Sequence, residues 1–165
     1  MSLRLVTMAL AEGAEHENTT TENTIARKTF KANELSAGKV YRGTCGVIVN
    51  DNNSTDTLTV GVRFGSTSAT PASNTDCGRS TAVDSEDADQ SVVWWELHVQ
   101  TTIRAVMFVS IQNPDAKGTG AVTQHMTVLT IAADTVYYCD VTLDWSVAHA
   151  DNEAAAAAFS VIEIA

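Results

Sequence analysis

Apolar and polar residues alternate along most of this chain. In 56–64, Leu58, Val60, Val62 and Phe64 share one phase, and Thr57, Thr59 and Arg63 share the other. A period of two belongs to a pleated strand with one face in a core and one in water. The same reading predicts strands over 24–30, 39–49, 56–64, 90–103, 105–112, 122–132, 135–147 and 154–164, about eight in all. Turn-forming clusters separate them at 33–38, at 50–54 and at 113–118, where Asn113, Pro114, Asp115 and Gly118 fall together. The stretch 65–90 is rich in Ser, Thr, Asp and Gly and reads as the least structured part, with a short strand near 78–83. Five consecutive alanines at 154–158 favour helix intrinsically. Phe159, Val161, Ile162 and Ile164 suit a closing strand, and sheet context commonly overrides propensity, so a strand is assigned there.

Adjacent strands of this length without a βαβ rhythm exclude a parallel sheet. An immunoglobulin-like sandwich, a jelly roll and a small barrel are the all-β alternatives. Eight strands favour the jelly roll, and no Cys–Trp–Cys spacing supports an immunoglobulin domain. The fold class is therefore all-β: an antiparallel, jelly-roll-like β-sandwich with an extended N-terminal arm.

The chain divides into an arm with its connector, 1–23, and a sandwich domain, 24–165. Residues 1–11 alternate weakly. Residues 12–24 hold almost no apolar side chain and carry Glu12, Glu15, Glu17 and Glu22, the composition of a flexible connector. Two readings stand: a frayed terminus, or an arm that adds as a strand to a neighbour through Leu3, Leu5, Val6, Met8 and Leu10. The start faintly mimics a secretion signal. Its apolar stretch is short and broken by Thr7, and one positive charge precedes it, so cleavage is not expected.

Length and charge narrow the function classes. At 165 residues the chain fits one domain that buries roughly 70% of its unfolded surface. Hydrophobic residues are 44% and charged residues 18%; the formal net charge is −10 and the pI about 4.6. Such a chain repels phosphate backbones and anionic membranes, so neither nucleic acid nor membrane is expected as a partner. No apolar run approaches the ~18 residues that span a bilayer. Cys45, Cys77 and Cys139 form an odd set without a CxxC pair, which fits neither a disulfide framework nor zinc. Cys45 and Cys139 lie in apolar strands and read as buried, whereas Cys77 falls in a polar loop and reads as exposed. A reducing cytosol is the expected place of synthesis.

Candidate chemistry is sparse. Trp95 shares phase with Val93, Leu97 and Val99 and reads as core; Trp145 does so with Tyr137, Cys139, Val141 and Leu143. Trp94 shares the outer phase with Glu96 and His98. That trio fits an oligomer contact, a ligand platform or ordinary partial burial. His16, His98, His125 and His149 stand too far apart in sequence for a local metal pair, and no metal or other cofactor is expected. The acidic loop 84–89 lacks the Gly and distant Glu of a calcium-binding hand and reads as solvated. Asn52, Asn53, Ser54 and Thr55 match a glycosylation-type pattern that matters only in a secretory pathway. Asp140 and Asp144 lie in one phase of one strand without a decisive glycosidase spacing. GxSxG, HExxH and a glycine-rich phosphate cradle are absent, so the expectation is a protein that is not an enzyme.

The run Ala32, Asn33, Glu34, Leu35, Ser36, Ala37, Gly38, Lys39, Val40, Tyr41, Arg42, then 52–60 and the later 144–152, resembles small structural proteins encoded among the head and tail genes of tailed bacteriophages. The resemblance covers roughly 24–165 and rests on strands and turns. It implies a β-sandwich, often jelly-roll-like and often a homotrimer. It implies a capsid decoration (cement) protein on the virion surface, made in the host cytoplasm and bound to the major capsid protein of the same virion. The alternative it implies is a receptor- or carbohydrate-binding knob of a head or tail fibre. No functional residue is carried over, because the shared pattern defines strands and turns only. In the decoration reading, Leu3, Leu5, Val6, Met8 and Leu10 form the capsid-binding arm.

Overall fold

A computed structural model describes residues 3–9, 16–51, 55–84, 89–113 and 121–164, with the main chain alone for 3–9 and 121. Leu10, the glycosylation-type Asn52 to Ser54, most of the acidic loop and the turn after Asn113 lie outside the described residues. Among those described there are twelve strands: β1 (Leu3–Ala9), β2 (His16–Glu17), β3 (Asn23–Phe30), β4 (Val40–Asp51), β5 (Thr57–Gly65), β6 (Thr75–Arg79), β7 (Val83–Asp84), β8 (Gln90–Thr101), β9 (Arg104–Asn113), β10 (Ala121–Thr130), β11 (Tyr137–Trp145) and β12 (Glu153–Ile164). One 3-10 turn, Pro71–Ser73, interrupts them. The eight strands expected from the alternation are β3, β4, β5 and β8 to β12; β6 and β7 bracket the short strand expected near 78–83, β1 lies in the weakly alternating 1–11, and β2 is additional.

Every described pairing is antiparallel. One sheet runs β1-β12-β4-β8-β9-β10, with β2 also on β12; the other runs β3-β11-β5-β6, with β7 on β5. Early strands pair with late ones, β4 with β12 and both β3 and β5 with β11, while β8 to β10 form a meander. This return of the chain end to its beginning is the Greek-key element of a jelly-roll-like sandwich.

The inward phases of both sheets meet in one core. Phe30 sits at its centre, 5.0 Å from Tyr41, 6.1 Å from Phe64 and 6.5 Å from Trp95 between ring centroids. Tyr137 stacks on Phe64 at 5.2 Å. Trp95 and Trp145 are each 1% exposed, as their phases predict. The alanine run is strand. β12 has partners on both sides, so its backbone groups are held in ladders. Bulges flank Ala154 to Ala156 and let three successive alanines be buried, which strict alternation would forbid.

Two expectations change. The composition of 12–24 predicts a connector, yet its described part, though largely exposed, is tied to the fold at fixed points. His16 is fully buried, the Trp145 indole donates to the His16 carbonyl at 3.2 Å, and the Asn18 amide donates to the Asn152 carbonyl at 3.3 Å. The polar residues find fixed partners, and apolar content alone misses that. Cys77 is likewise buried, because β6 lies where the two sheets meet and the Thr127 hydroxyl donates to its carbonyl at 3.3 Å. Burial pushes the thiols of Cys77 and Cys45 up to about 12, and that of Cys139 well above its ordinary value.

Gly43 faces Trp95 so closely that a Cβ there would lie 2.1 Å from the indole ring. Gly43→Ala should therefore overpack the core, costing about 3 kcal/mol and lowering Tm by about 6–12 °C in thermal denaturation. The Asn23 amide donates to His16 Nδ1 at 3.1 Å, while His16 Nε2 has no partner. Burial lowers the His16 pKa, against the opposing pull of Asp144. The unfolded chain takes up a proton at this side chain from about pH 6.5 downward, and the folded chain resists it. The stability tied to His16 is thus full above pH 6.5 and drains as pH falls toward the native value. Denaturant melts across pH 7.5 to 5 should show this loss in the wild type and a flatter profile in His16→Gln.

Candidate functional site

The outward side of the longer sheet carries the trio Trp94, Glu96 and His98, and the strand register adds what surrounds it. Three rows cross the strands β4, β8, β9 and β10. One reads Thr44, Trp94, Ser110, Gln124; the next Arg42, Glu96, Phe108, Met126; the third Val40, His98, Val106, Val128. Cross-strand neighbours in such rows touch. Several apolar side chains in this water-facing phase are exposed, Trp94 38%, Phe108 43% and Met126 65%, with Val122 and Val128 also exposed, while Val106 between them is buried.

Charges within the face are paired. Glu96 Oε2 accepts from Arg42 Nε at 2.9 Å and Nη2 at 2.6 Å, and Glu96 Oε1 is held by His98 Nε2. Burial pushes the Glu96 carboxyl up, but the bonds from Arg42 and His98 outweigh it and hold the group below the ordinary carboxylate range. Glu96 therefore stays ionised with both oxygens engaged, and it has no proton to give as an acid. The His98 ring stands edge-on to Phe108 at 5.4 Å. Phe108 forms a ridge between two hollows. One, of about 460 Å³, is lined by Arg42, Trp94, Glu96, Ser110 and Gln124 among others. The other, of about 370 Å³, is lined by His98, Val106, Met126 and Val128 among others.

The remaining expected residues lie apart from this face. The main chain of Leu3, Leu5 and Met8 pairs with β12 of the same chain, and a bulge between Leu5 and Thr7 leaves Val6 without a register partner. The strand thus lies on this molecule's own sheet. His125 Nε2 bonds the Arg79 carbonyl at 2.9 Å, and His149 Nδ1 accepts from the Asp151 amide at 3.2 Å. Among the described residues no group of three or more His, Cys, Asp or Glu is placed to hold a metal ion. No helix among them is long and apolar enough to cross a membrane.

The outward side of the other sheet holds an ion-pair network that sequence reasoning missed. Glu22 accepts from Arg63 Nε at 3.0 Å and Nη2 at 2.8 Å, from the Thr142 hydroxyl at 2.6 Å, and pairs with Arg79. Asp140 accepts from Arg27 Nε at 2.5 Å and Nη2 at 3.1 Å, and Asp144 lies 3.6 Å from Arg79. Burial works against the Glu22 carboxylate, but the bonds from Arg63 and Thr142 and the charge of Arg79 hold its pKa below the ordinary value. Arg27, Asp140 and Arg63 lie in register across β3, β11 and β5, so same-phase charges on three strands were the available signal. The signal for Phe108 and Met126 was simpler: apolar residues in the phase of Ser110, Gln112 and Gln124.

No family model and no curated protein matches the chain. Among solved structures it is similar to VP2 of infectious bursal disease virus in a subviral particle, at 9% identity and a TM-score of 0.40. That match covers 98% of this chain and 32% of the other. VP2 of the Gt strain of that virus gives 10% identity and a TM-score of 0.40 over the same shares. A carbohydrate esterase from the Shiga toxin-encoding bacteriophage phi24B gives 8% identity and a TM-score of 0.37, covering 94% of this chain and 88% of the other. The chain thus spans about a third of the VP2 chains. Likeness at this level says nothing of what the chain does.

Because Trp94 lies on the surface and Trp95 in the core, their truncations should diverge. At low protein concentration Trp94→Ala should cost under about 1 kcal/mol, and Trp95→Ala about 3–5 kcal/mol, by chemical denaturation.

Proposed function

We propose that the chain is a structural protein of a bacteriophage virion that decorates the capsid shell and stabilises it by contact. The observation that supports this reading best is the outward face of the longer sheet: Trp94, Phe108 and Met126 stand exposed on paired strands, with Arg42, Glu96 and His98 already satisfied among themselves. Exposed apolar surface of this kind suits contact with another protein. The strand-and-turn resemblance of 24–165 to phage head and tail proteins gives the class of assembly, with the major capsid protein as partner and the virion surface as location. A decorating unit with several copies of a modest contact gains avidity through multivalency, which suits a lattice of repeated shell subunits.

A second reading, a carbohydrate-binding knob, is favoured by one feature. The hollow beside Trp94 combines an aromatic face with Arg42, Glu96, Ser110 and Gln124, groups able to hold sugar hydroxyls.

The deciding experiment mixes the purified full chain with undecorated shells and sediments them. Decoration predicts saturable co-sedimentation and shells that resist heat better than bare ones. Failure to sediment with shells, together with a glycan-array signal lost in Trp94→Ala, would replace decoration by the knob.

A further inference from the structure

We propose that the free edge of β10 is a docking edge for an extended segment of another protein, which adds to the longer sheet as an antiparallel strand and presents a carboxylate to Arg104. The inference goes beyond the reading of the outward face and does not depend on shell decoration.

The first ground is a difference among the sheet edges. The longer sheet ends in β1 and β10, the shorter in β3 and β6. An open edge is a template for pairing, and proteins blunt it with charged side chains and bulges. Three of these four strands carry both devices. β1 has Arg4 and a register shift between Leu5 and Thr7. β3 has Arg27 and Lys28, and its ladder with β11 shifts between Val141 and Thr142. β6 has Asp76 and Arg79, and its ladder with β5 shifts between Val62 and Arg63. The β6 carbonyls of Arg79 and Cys77 are also covered, by bonds from the His125 and Thr127 side chains. β10 has neither device. Residues 121–130 include no Lys, Arg, Asp, Glu, Pro or Gly. Their pairing with β9 runs without a shift from Ala121 beside Asn113 to Thr130 beside Arg104. Beyond that ladder no bond between main-chain groups reaches β10 among the described residues. One ladder satisfies only the groups on one side of a strand, so the far side of β10 keeps a row of donors and acceptors. Strand addition uses such a row for affinity and side-chain hollows for specificity.

Charge names the occupant. Arg104 lines, with Met126 and Val128 of β10, the hollow of about 370 Å³. No carboxylate among the described residues lines that hollow. Arg104 makes no ion pair among the described residues, whereas Arg27, Arg42, Arg63 and Arg79 each have one. A strand added to β10 lies two strand spacings, about 10 Å, from β9, a gap that an arginine and a glutamate side chain span together. The added residue opposite Thr130 shares the face of Arg104, so a carboxylate there meets the guanidinium. The residues opposite Val128 and Met126 fall beside exposed apolar side chains and are best apolar. A second copy of β10 has no carboxylate to offer. The occupant is therefore a segment with an acid at its N-terminal end and apolar residues two and four positions later.

The test uses labelled, end-blocked heptapeptides that alternate threonine and valine after a first residue of glutamate or lysine. Binding to the full chain is read by fluorescence anisotropy. The glutamate peptide is expected to saturate with a Kd below about 1 mM, and the lysine peptide to bind at least about tenfold more weakly. Arg104→Gln should erase that difference and Arg104→Lys should keep most of it. Arg104 is exposed, so circular dichroism should show both variants folded. Two further glutamate peptides carry N-methyl groups at alternate residues, one peptide in each phase. Strand addition predicts that one phase abolishes binding, because its amides face β10, and that the other binds. Absence of saturable binding overturns the inference. So does a lysine peptide that binds as tightly as the glutamate one, or tolerance of both N-methyl patterns. Sedimentation velocity of the chain supplies the last arm: a dimer that the glutamate peptide fails to dissociate puts a second copy on the edge and overturns the inference. Co-sedimentation with shells tests decoration separately.

Discussion

The pairing of β4 with β12 is the constraint on which the architecture depends. β4 comes early in the chain and β12 closes it, yet they run side by side from Val40 beside Ile164 to Asp51 beside Glu153. β4 also holds β8, and through it the meander β8 to β10; β12 holds β1 and β2. Without this ladder the longer sheet would separate into a meander and an unanchored terminal strand. The shorter sheet, closed by β11 against β3 and β5, would lose the surface on which its core face packs. The contact joins residues over a hundred positions apart, so its loop-closure entropy must be met by burial of the aromatic cluster around Phe30.

The two outward faces solve the problem of a sheet's second side differently. On the shorter sheet Arg27, Arg63 and Arg79 interleave with Glu22, Asp140 and Asp144, and the Asn18–Glu22 stretch lies close enough to join the network. That face is satisfied within the molecule. On the longer sheet one ion-paired patch sits among exposed apolar side chains, and that surface remains available. Acidity is thus distributed unevenly, and the imbalance makes one side of the sandwich distinct.

The sequence was most legible where one physical rule acted alone. Alternation in 56–64 placed β5, and phase separated Trp94 from Trp95 because neighbours on a strand must face opposite ways. It was least legible where structure depends on distant partners. The alanines of β12 are strand because β4 and β1 flank them, which no local propensity encodes. His16 and Glu22 read as solvated connector because their composition is polar. His16 is buried and Glu22 half-buried because Trp145, Asn23, Arg63 and Thr142 supply bonds from elsewhere in the chain. In the candidate face, Trp94, Glu96 and His98 were visible as one phase of one strand. Arg42, Phe108 and Met126 joined them only once register was known.

The register of β1 places Leu3 beside Ile164, so both ends of the fold leave from the same corner of the longer sheet. Four strand spacings, about 19 Å, separate that edge from the strand bearing Phe108. Cargo fused to either end would therefore emerge at one point, clear of the aromatic ridge. A short peptide bridging the two ends would allow the chain to be reopened at another turn, making the sandwich a scaffold for circular permutation and display.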